Sequence, residues 1–516
     1  MRDCLSSNNL KFVFYYQLKL RSQKSPNKQL ERSKHYRVTI RRQCYCCAPN
    51  VTSPPTVYPV VVQLHCGRRT FGAIVGAERK CKMAALVEQV ENYPFYHGFI
   101  PREELLYLLE KVGDFLIRIA LRKRQNPSLV LSIRTQRENI DESIRHIMIH
   151  HRRGEDGIER WLIHEKRLCA TLSDLIDCYI AHGEPVNPEI KTSILLRGIR
   201  KQSWELDNDS VTVETVIGHA PRAVISEGRI LIDGTWRTVI IKAIEIPLSI
   251  NEMDETREQI KAAANEARIL SNFEHTNIIK TYGIALLREP VLFVSETIAN
   301  APTLYTTLRR RRGSISDVEK VESMCLACAR AVDYIHSRKC IHRCIGSRNV
   351  LYTDDKLAKL CEFGLARTGD VYVLKKSQRV PLRWMAPESL AACTFTTKSD
   401  VFSFGIFLFE VFTEGKEPYK GLSSVQVKRM VTCGSRMERP RKCPDEIFAL
   451  MQKCWEQNPE ERCTMSDLLN GTYARFLLKP VACERRRDMK KKKAEGTNLT
   501  RRMQYWMNLD LFLDQS

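Results

Sequence analysis

The sequence lacks the features that would place the protein in or across a membrane. No apolar run reaches the ~18 to 20 residues that a transmembrane helix needs. The longest run, Val401–Phe412, has the length of a buried helix. The N-terminus shows neither the apolar core and cleavage site of a signal peptide nor the glycine at position 2 that myristoylation requires. We therefore expect a cytoplasmic protein.

The cysteines lack the order of a disulfide framework. The 19 cysteines are scattered and odd in number, a pattern that favours free thiols in a reducing compartment. The two tightest groups, at 44–47 and 325–328, have no second His or Cys pair at zinc-finger spacing. Because Cys325 and Cys328 also follow a helical pattern, we expect them to be core residues.

Acidic residues are sparse, since 60 Asp and Glu face 82 Lys and Arg for a net charge of +22. Residues 1–90 alone hold 16 basic and 4 acidic side chains, and a further basic cluster lies at 484–493. We expect residues 1–92 to be a poorly ordered basic extension and residues 476–516 a solvated basic tail, with weak contact to an anionic membrane as the alternative. No groove-reading motif accompanies the charge, so no nucleic-acid partner is expected.

Between these extensions, helix and strand patterns alternate at regular intervals. Residues 93–190 predict a helix, several antiparallel strands and a second helix. After a linker at 191–207, residues 208–475 begin strand-rich around one helix and become mostly helical after about residue 300. We predict an α+β protein with a compact module followed by a bilobal domain that has a cleft between its lobes. The predicted elements are helices 101–112, 171–182 and 254–272 and strands 114–119, 129–134 and 144–149.

The first module contains short motifs in a characteristic order. They are Tyr96-His-Gly98, Pro101-Arg-Glu-Glu-Leu105, Gly113-Asp-Phe-Leu-Ile-Arg118 and Val130-Leu-Ser-Ile133. In combination they resemble an SH2 domain, an antiparallel sheet flanked by two helices. The resemblance implies that Arg102, Arg118 and His146 bind phosphotyrosine, and that phosphotyrosine-containing proteins are the partners.

Arg118 supports this interpretation by its own chemistry, because it interrupts an apolar strand. A planar guanidinium matches a phosphate bidentately, and a structural pairing with a carboxylate is the alternative. The sequence departs from the SH2 pattern at Ile119 and Ala120, which replace an acidic residue and a serine that help to hold the phosphate. Each hydrogen bond lost is worth ~1.5 to 3 kcal/mol. The basic run 122–124 would compensate with charge.

The second module contains segments in the order found in protein-tyrosine kinases. They are Thr238-Val-Ile-Ile-Lys242, Asn265–Leu270, Ile341–Asn349, Cys361-Glu-Phe-Gly364, Val380–Glu388, Asp400–Gly405 and Arg462, which would pair with Glu388. The module is therefore similar to protein-tyrosine kinases. With an SH2 domain directly before it and Cys454-Trp455 in the large lobe, the chain looks most like the Fes/Fer group of non-receptor kinases.

This resemblance implies a site for ATP with Mg²⁺ or Mn²⁺. Lys242 would hold phosphates and pair with Glu266, and Asn349 would ligate the metal together with Glu362. The alternatives without a catalytic role are a surface lysine for Lys242, a solvated glutamate for Glu266 and a turn asparagine for Asn349. Tyr372 would be phosphorylated and pair with Arg343, unless it is simply an exposed loop residue. The remaining implied positions are Gly218, Ile225, Ile240, Ser295 and Leu351 around the nucleotide, and Cys344 and Arg348 in the catalytic loop.

Four departures from the kinase pattern affect the chemistry. Cys344 stands where an aspartate accepts the substrate proton, and loss of a general base costs ~10²- to 10⁴-fold in rate. Glu362 replaces the metal-binding aspartate, and its extra methylene displaces the oxygens from the octahedral geometry that Mg²⁺ demands. The phosphate loop keeps only Gly218 and contains Pro221, which removes a backbone donor. Ile240 narrows the adenine pocket, although the small Ser295 reopens some space.

These departures predict a kinase fold that is catalytically impaired. The function predicted from the sequence is a phosphotyrosine-binding signalling protein whose kinase domain is a pseudokinase scaffold or regulator. Such a protein would need no cofactor. The alternative is an active tyrosine kinase that transfers the ATP γ-phosphate to protein tyrosine.

Overall fold

The computed structural model of the protein describes residues 80, 83–122, 126–138, 140–153, 156–165, 167–220, 222–247, 249–298, 301–374 and 380–470, together with the strand backbones at 15–22, 36–43 and 59–64. The basic tail at 476–516 and most of the basic extension lie outside these residues. The three strands Tyr15–Ser22, Tyr36–Gln43 and Pro59–Leu64 (β1–β3) pair antiparallel in chain order. The sequence pattern does not indicate this sheet, because the apolar alternation is short in every one of its strands.

The first module is built around a central strand that is buried along its whole length, β4 (Asp114–Ala120). Thr171 begins the last helix by accepting a hydrogen bond from the Asp174 N–H (3.0 Å), and Gly183 ends it in the left-handed conformation. The sheet order is β6-β5-β4-β9, and this arrangement confirms the predicted fold class. The other elements are helices α1 (83–90), α2 (Leu105–Leu108) and α3 (Leu172–His182), and strands β5 (Ser128–Arg134), β6 (Ile144–Met148), β7 (His150–Arg153), β8 (Glu159–Leu162) and β9 (Arg197–Gly198).

The small lobe of the second module is a six-stranded sheet with one long helix, α4 (Met253–Leu270), packed against it. Ile260, Ala263, Ala264 and Ala267 form the buried stripe of α4, at the spacing of a helix face. The sheet order is β10-β14-β15-β13-β12-β11. Its strands are β10 (Glu205–Leu206), β11 (Val211–Ala220), β12 (Ala223–Ile232), β13 (Thr235–Ile244), β14 (Thr281–Ala285) and β15 (Val291–Glu296).

The large lobe is mostly helical and surrounds α9 (Thr397–Phe412), which is apolar and buried on nearly all sides. No helix among the described residues is long and apolar enough to cross a membrane. The other helices are α5 (Leu304–Arg310), α6 (Asp317–Glu319), which continues through a π-helical stretch (Lys320–Cys325) into α7 (Leu326–Ser337), α8 (Pro387–Ala392), α10 (Ser424–Thr432), α11 (Asp445–Cys454) and α12 (Met465–Asn470). The short strands are β16 (Cys340–Ile341), β17 (Val350–Tyr352), β18 (Ala358–Leu360), β19 (Arg367–Thr368), β20 (Val371–Val373) and β21 (Thr394–Thr396).

The first module and the small lobe share one hydrophobic core. The Phe99 N–H donates to the Leu286 carbonyl (2.9 Å), and the Tyr96 hydroxyl donates to the Leu287 carbonyl (3.1 Å). Gly98 lies between these contacts, and a Cβ there would meet the Leu286 oxygen at 2.0 Å, so only glycine fits. The two modules are therefore docked through backbone as well as side chains.

The described cysteines are free thiols. Cys325 and Cys328 are buried within the π–α7 helical segment, as their pattern predicted. Within the described ranges, no three His, Cys, Asp or Glu side chains are grouped to hold a metal ion. The cysteines at 44–47 lie outside the described residues.

Candidate phosphotyrosine pocket and nucleotide cleft

Arg118 projects from β4 and is only 6% exposed. Its Nε donates to the Ser132 hydroxyl (3.1 Å), and its Nη1 donates to the Ile100 carbonyl (3.4 Å). Burial lowers the pKa of Arg118 to about 10, so the guanidinium is still a cation at neutral pH. Among the residues that the structure describes, no carboxylate forms an ion pair with it. A buried cation without a counter-ion is a ready receptor for an anion.

The three predicted phosphotyrosine-binding residues face one cavity. Arg102, Arg118 and His146 line a space of about 290 Å³. The His146 Nδ1 lies 3.0 Å from the Ser132 hydroxyl. Burial, and then the charge of Arg118, lower the pKa of His146 to about 3, so this ring is neutral at pH 7 and takes part through hydrogen bonds.

The two substituted positions lie in the same cavity wall. Ile119 and Ala120 line the space but present only methyl and methylene groups to it. Arg122 also lines the cavity, whereas Lys123 and Arg124 lie outside the described residues. Arg257 of α4 also reaches this cavity from the other module, a contribution that the sequence motifs do not indicate.

Strand register places five predicted nucleotide-contacting residues together. Ile225 on β12 lies opposite Lys242 on β13, and Ile240 lies opposite Ser295 on β15. Lys242 and Ile240 are two residues apart and therefore share one face of the sheet. Gly218 on β11 pairs with Ile225 and extends the same row. Ile240 and the small Ser295 are thus direct neighbours.

Glu266 is engaged by backbone rather than by Lys242. Its Oε1 accepts a hydrogen bond from the Phe363 N–H (3.0 Å). Within the described part of the chain, Lys242 forms no ion pair with this carboxylate. Burial, and then the nearby charge of Glu362, raise the pKa of Glu266. The predicted lysine–glutamate pair is therefore not closed in this structure.

The catalytic loop is fixed by buried Asp400, which accepts hydrogen bonds from the backbone N–H groups of His342 (2.7 Å) and Arg343 (2.8 Å). Within this loop the Asn349 amide donates to the Cys344 thiol (3.0 Å) and to its carbonyl (2.7 Å). Burial raises the pKa of Cys344 to about 11. The thiol is consequently protonated at neutral pH.

Glu362 lies beside the loop in a left-handed backbone conformation (φ 65°, ψ 59°). The Cys361 N–H donates to the Asn349 carbonyl (2.9 Å), so Asn349 and the residue that follows Cys361 are brought together. An amide oxygen and a carboxylate are oxygen donors that suit Mg²⁺ or Mn²⁺ completed by phosphate oxygens. The donor types present therefore fit a metal–nucleotide ligand, whereas the length of the Glu362 side chain departs from the aspartate of the kinase pattern.

Tyr372 is packed between two arginines. The guanidinium of Arg343 lies 4.5 Å from the centre of the tyrosine ring, and that of Arg367 lies 5.2 Å from it. The Arg343 Nη1 donates to the Leu365 carbonyl (2.9 Å), whereas its buried Nε and Nη2 have no hydrogen-bond partner among the residues that the structure describes. Burial, and then Arg367, lower the pKa of Arg343 to about 10. The unmodified Tyr372 ring therefore lies beside Arg343, and its phosphorylation stays a prediction.

The other predicted positions have structural contacts of their own. Arg348 lies over the Tyr305 ring at 3.8 Å, and Leu351 on β17 pairs with Lys359 of β18. Pro221 of the phosphate loop lies outside the described residues. The next residue, Arg222, forms ion pairs with Glu252 (2.9 Å) and Glu255 (2.6 Å) near the start of α4. These ion pairs connect the phosphate loop to α4, and the sequence motifs did not indicate them.

The ion pair predicted between Glu388 and Arg462 is present in the large lobe. Arg462 is fully buried and donates to both carboxylate oxygens of Glu388, at 2.7 Å each. A bidentate buried pair of this kind fixes the end of the activation segment to the lobe. The predicted Glu388–Arg462 pairing is confirmed.

Comparisons with known proteins match both modules. Residues 211–471, just over half of the chain, match the family described as protein tyrosine and serine/threonine kinase, and residues 95–179 match the SH2 domain. The chain is 31% identical over 373 residues to the tyrosine-protein kinase transforming protein Fps of an avian sarcoma virus (strain PRCII), covering 71% of this chain and 65% of that protein. It is 30% identical over 404 residues to the human tyrosine-protein kinase Fer, covering 78% of this chain and 46% of Fer. Fer-related kinase 1 of Caenorhabditis elegans is 26% identical over 393 residues, covering 75% of this chain and 94% of that protein.

The alignments span less than two thirds of Fps and Fer. The two family matches nevertheless fall on the two modules, with the SH2 match before the kinase match. The chain belongs to the protein tyrosine and serine/threonine kinase family, as an SH2-containing member with tyrosine kinases of the Fes/Fer type among its homologues.

Proposed function

We propose that this protein binds phosphotyrosine-containing proteins through Arg102, Arg118 and His146, and that its kinase domain is a pseudokinase that acts as a scaffold or regulator. The boundaries we propose are 93–190 for the SH2 domain and 208–475 for the kinase domain, with a linker at 191–207. Cytoplasmic location and weak membrane contact by the basic tails stay predictions.

The SH2 part of the proposal is supported by the buried Arg118. Its guanidinium is held by a hydroxyl and a carbonyl, and it keeps its charge. A phosphate monoester entering the cavity would supply the missing counter-ion. The neutral His146 ring and Arg102 border the same space and would flank the tyrosine ring.

The pseudokinase part is carried by one observation: a cysteine, Cys344, whose thiol accepts a hydrogen bond from the Asn349 amide, stands where the kinase pattern has an aspartate. A general base must accept a proton at the operating pH, and burial raises the pKa of this thiol to about 11. Glu362 also disfavours catalysis, because its oxygens are one methylene further from the backbone than those of the metal-binding aspartate that it replaces. No replacement carboxylate lies nearby in the loop sequence.

ATP with Mg²⁺ or Mn²⁺ is the ligand for which this cleft is suited. Asn349 and Glu362 would hold the metal, and Lys242 would contact phosphate. A bound metal ion neutralises charge on the phosphates. Binding without turnover would leave the fold as a nucleotide-dependent docking surface.

The second candidate is a slow tyrosine kinase. It is favoured by the joint presence of Lys242, Glu266 and Asn349, and by the packing of Tyr372 against Arg343. In this case the proton of the substrate hydroxyl would pass to an oxygen of the transferred phosphoryl group instead of to a side-chain base, since transfer is driven mainly by positioning and charge.

Autophosphorylation separates the two candidates. The purified full chain is incubated with ATP and Mg²⁺ or Mn²⁺ beside a Lys242→Met variant, and both are shown to be folded by circular dichroism. We expect no phosphotyrosine in either sample. Phosphotyrosine that forms in the parent and is absent from the variant would establish the slow kinase instead.

A further inference from the structure

The edge of α4 that faces the SH2 domain carries a row of basic residues. Arg257, Lys261 and Arg268 are four and seven residues apart, a spacing that places them along one side of a helix. Lys261 pairs with Glu103 of the SH2 domain at 3.1 Å, and Arg268 pairs with Glu104. Two of the three cations therefore have an acidic partner across the domain interface.

Arg257 differs from the other two. The ion pair that the structure gives it is with its neighbour Glu258, at 3.4 Å, and both side chains are more than 40% exposed. Such exposed pairs contribute little free energy. Within the described residues, no SH2 carboxylate pairs with Arg257. Its side chain instead lines the cavity that contains Arg118.

The charges around this cavity are strongly unbalanced. Arg118 and Arg257 are joined by Arg102 and Arg122, and Glu103 is the acidic residue in the wall. Glu103 is itself neutralised by Lys261, since their contact overcomes the effect of burial and lowers the pKa of the carboxyl. An anion in the cavity would therefore meet a net positive surface drawn from both domains.

We propose that Arg257 of the kinase small lobe is a ligand-binding residue of the phosphotyrosine site, so that the site is built jointly by the SH2 domain and α4. This inference rests on the proposed SH2 function. Ile119 and Ala120 leave the phosphate without the polar side chains that the SH2 pattern provides, and Arg257 supplies a cationic donor to the same cavity from α4. Its long side chain is carried by a helix that is fixed to the SH2 domain by Lys261 and Arg268.

The test measures binding of the full chain to a pool of random-sequence phosphotyrosine peptides, with the unphosphorylated pool as reference. Arg257→Gln is compared with Arg257→Lys and with Arg429→Gln, which removes the same charge from an exposed helical position in the large lobe. Arg118→Ala reports on the SH2 function itself. We expect Arg257→Gln to weaken binding about tenfold, the value of one charge-assisted contact at a partly exposed site. We expect Arg257→Lys to recover part of this loss and Arg429→Gln to bind as the parent does.

The outcomes separate a failure of the proposed SH2 function from a failure of the composite site. Binding unaffected by Arg118→Ala would overturn the proposed SH2 function. Loss in Arg118→Ala with Arg257→Gln within twofold of the parent would leave that function standing and overturn the composite site. A loss in Arg257→Gln that Arg257→Lys does not relieve would also overturn it, because the change would then reflect undocking of the domains rather than lost charge.

Discussion

The side-chain amide of Asn349 donates a hydrogen bond to the thiol of Cys344 across 3.0 Å. The asparagine thus holds, in the centre of the catalytic loop, a sulfur that is protonated at neutral pH. A carboxylate at the same position would accept this hydrogen bond more strongly, because it carries a charge. The geometry of the loop therefore suits an acidic residue at position 344, where the sequence has a cysteine.

Restoring the acids should create activity. We expect the double variant Cys344→Asp/Glu362→Asp to transfer phosphate at least ~10²-fold faster than the parent, because a general base alone is worth ~10² to 10⁴ in rate. Radiolabelled phosphate transfer to a poly(Glu,Tyr) substrate measures the change. Adding Lys242→Met to the double variant is the control and should abolish the gain. A rate close to that of the parent would show that the remaining loop and pocket departures suffice to prevent turnover.

The adenine pocket offers a separate prediction. Ile240 lies directly opposite Ser295 across β13 and β15, so its side chain occupies space next to a small residue. Ile240→Ala should enlarge this space and strengthen ATP binding. We expect ATP with Mg²⁺ to raise the melting temperature of the variant more than that of the parent, because a ligand stabilises the state that it binds.

The matched control for this prediction is Ile232→Ala, which shortens a half-buried isoleucine at the far end of β12. Its nucleotide response should equal that of the parent. Equal responses in all three proteins would contradict the idea that Ile240 restricts the pocket.

Most of the fold could be predicted from the sequence because local patterns and global structure agree. The strand around Arg118 is apolar on both sides of the arginine, and it is the buried centre of its sheet. Thr171 and Asp174 form a capping box at the start of a helix with a clear apolar face. The Glu388–Arg462 pair was recognisable because both residues lie in motifs of fixed order.

What the sequence could not reveal depends on distances between segments far apart in the chain. The motifs placed Arg118 in one module and Arg257 in another, with nothing to show that they share a cavity. Likewise, the resemblance to kinases implied an ion pair between Lys242 and Glu266, but the carboxylate accepts a hydrogen bond from the Phe363 N–H. Arg257 and Glu266 both lie on α4, so the packing of this helix decides which groups they contact.

Docking of the modules should depend on Arg268. Its guanidinium pairs with buried Glu104, donates to the Asn265 side chain (2.9 Å) and lies 3.7 Å from the centre of the Tyr107 ring. Arg268→Ala leaves Glu104 buried without its counter-ion, which typically costs ~3 to 5 kcal/mol. Chemical denaturation of the full chain measures the loss of unfolding free energy.

Two further variants make this prediction specific. Arg429→Ala, at an exposed helical position, should change the unfolding free energy by less than ~0.5 kcal/mol. Arg268→Met combined with Glu104→Gln should recover part of the loss, since no charge is left buried alone. A loss below ~1 kcal/mol in Arg268→Ala would show that this pair contributes no more than a surface ion pair.

The pH dependence of stability should carry a signature of His97. This buried ring contacts Glu205 through Nδ1 (2.8 Å) and the Ile199 carbonyl through Nε2 (2.9 Å). Burial lowers the pKa of His97, but the charge of Glu205 and these two hydrogen bonds outweigh it, so the pKa in the folded protein is raised.

The protonated ring therefore favours the folded state. This stabilisation is fully present below the unfolded pKa of ~6.5 and is lost as the pH rises through the folded value. It amounts to ~1.4 kcal/mol for each unit of difference between the two. We expect the gap in unfolding free energy between the parent and His97→Gln to be largest near pH 6 and to narrow steadily above it. A gap that stays constant from pH 6 to pH 9 would mean that His97 has the same pKa in the folded and unfolded states and contributes through packing alone, and a gap that widens with pH would mean that the ring is neutral in the folded protein.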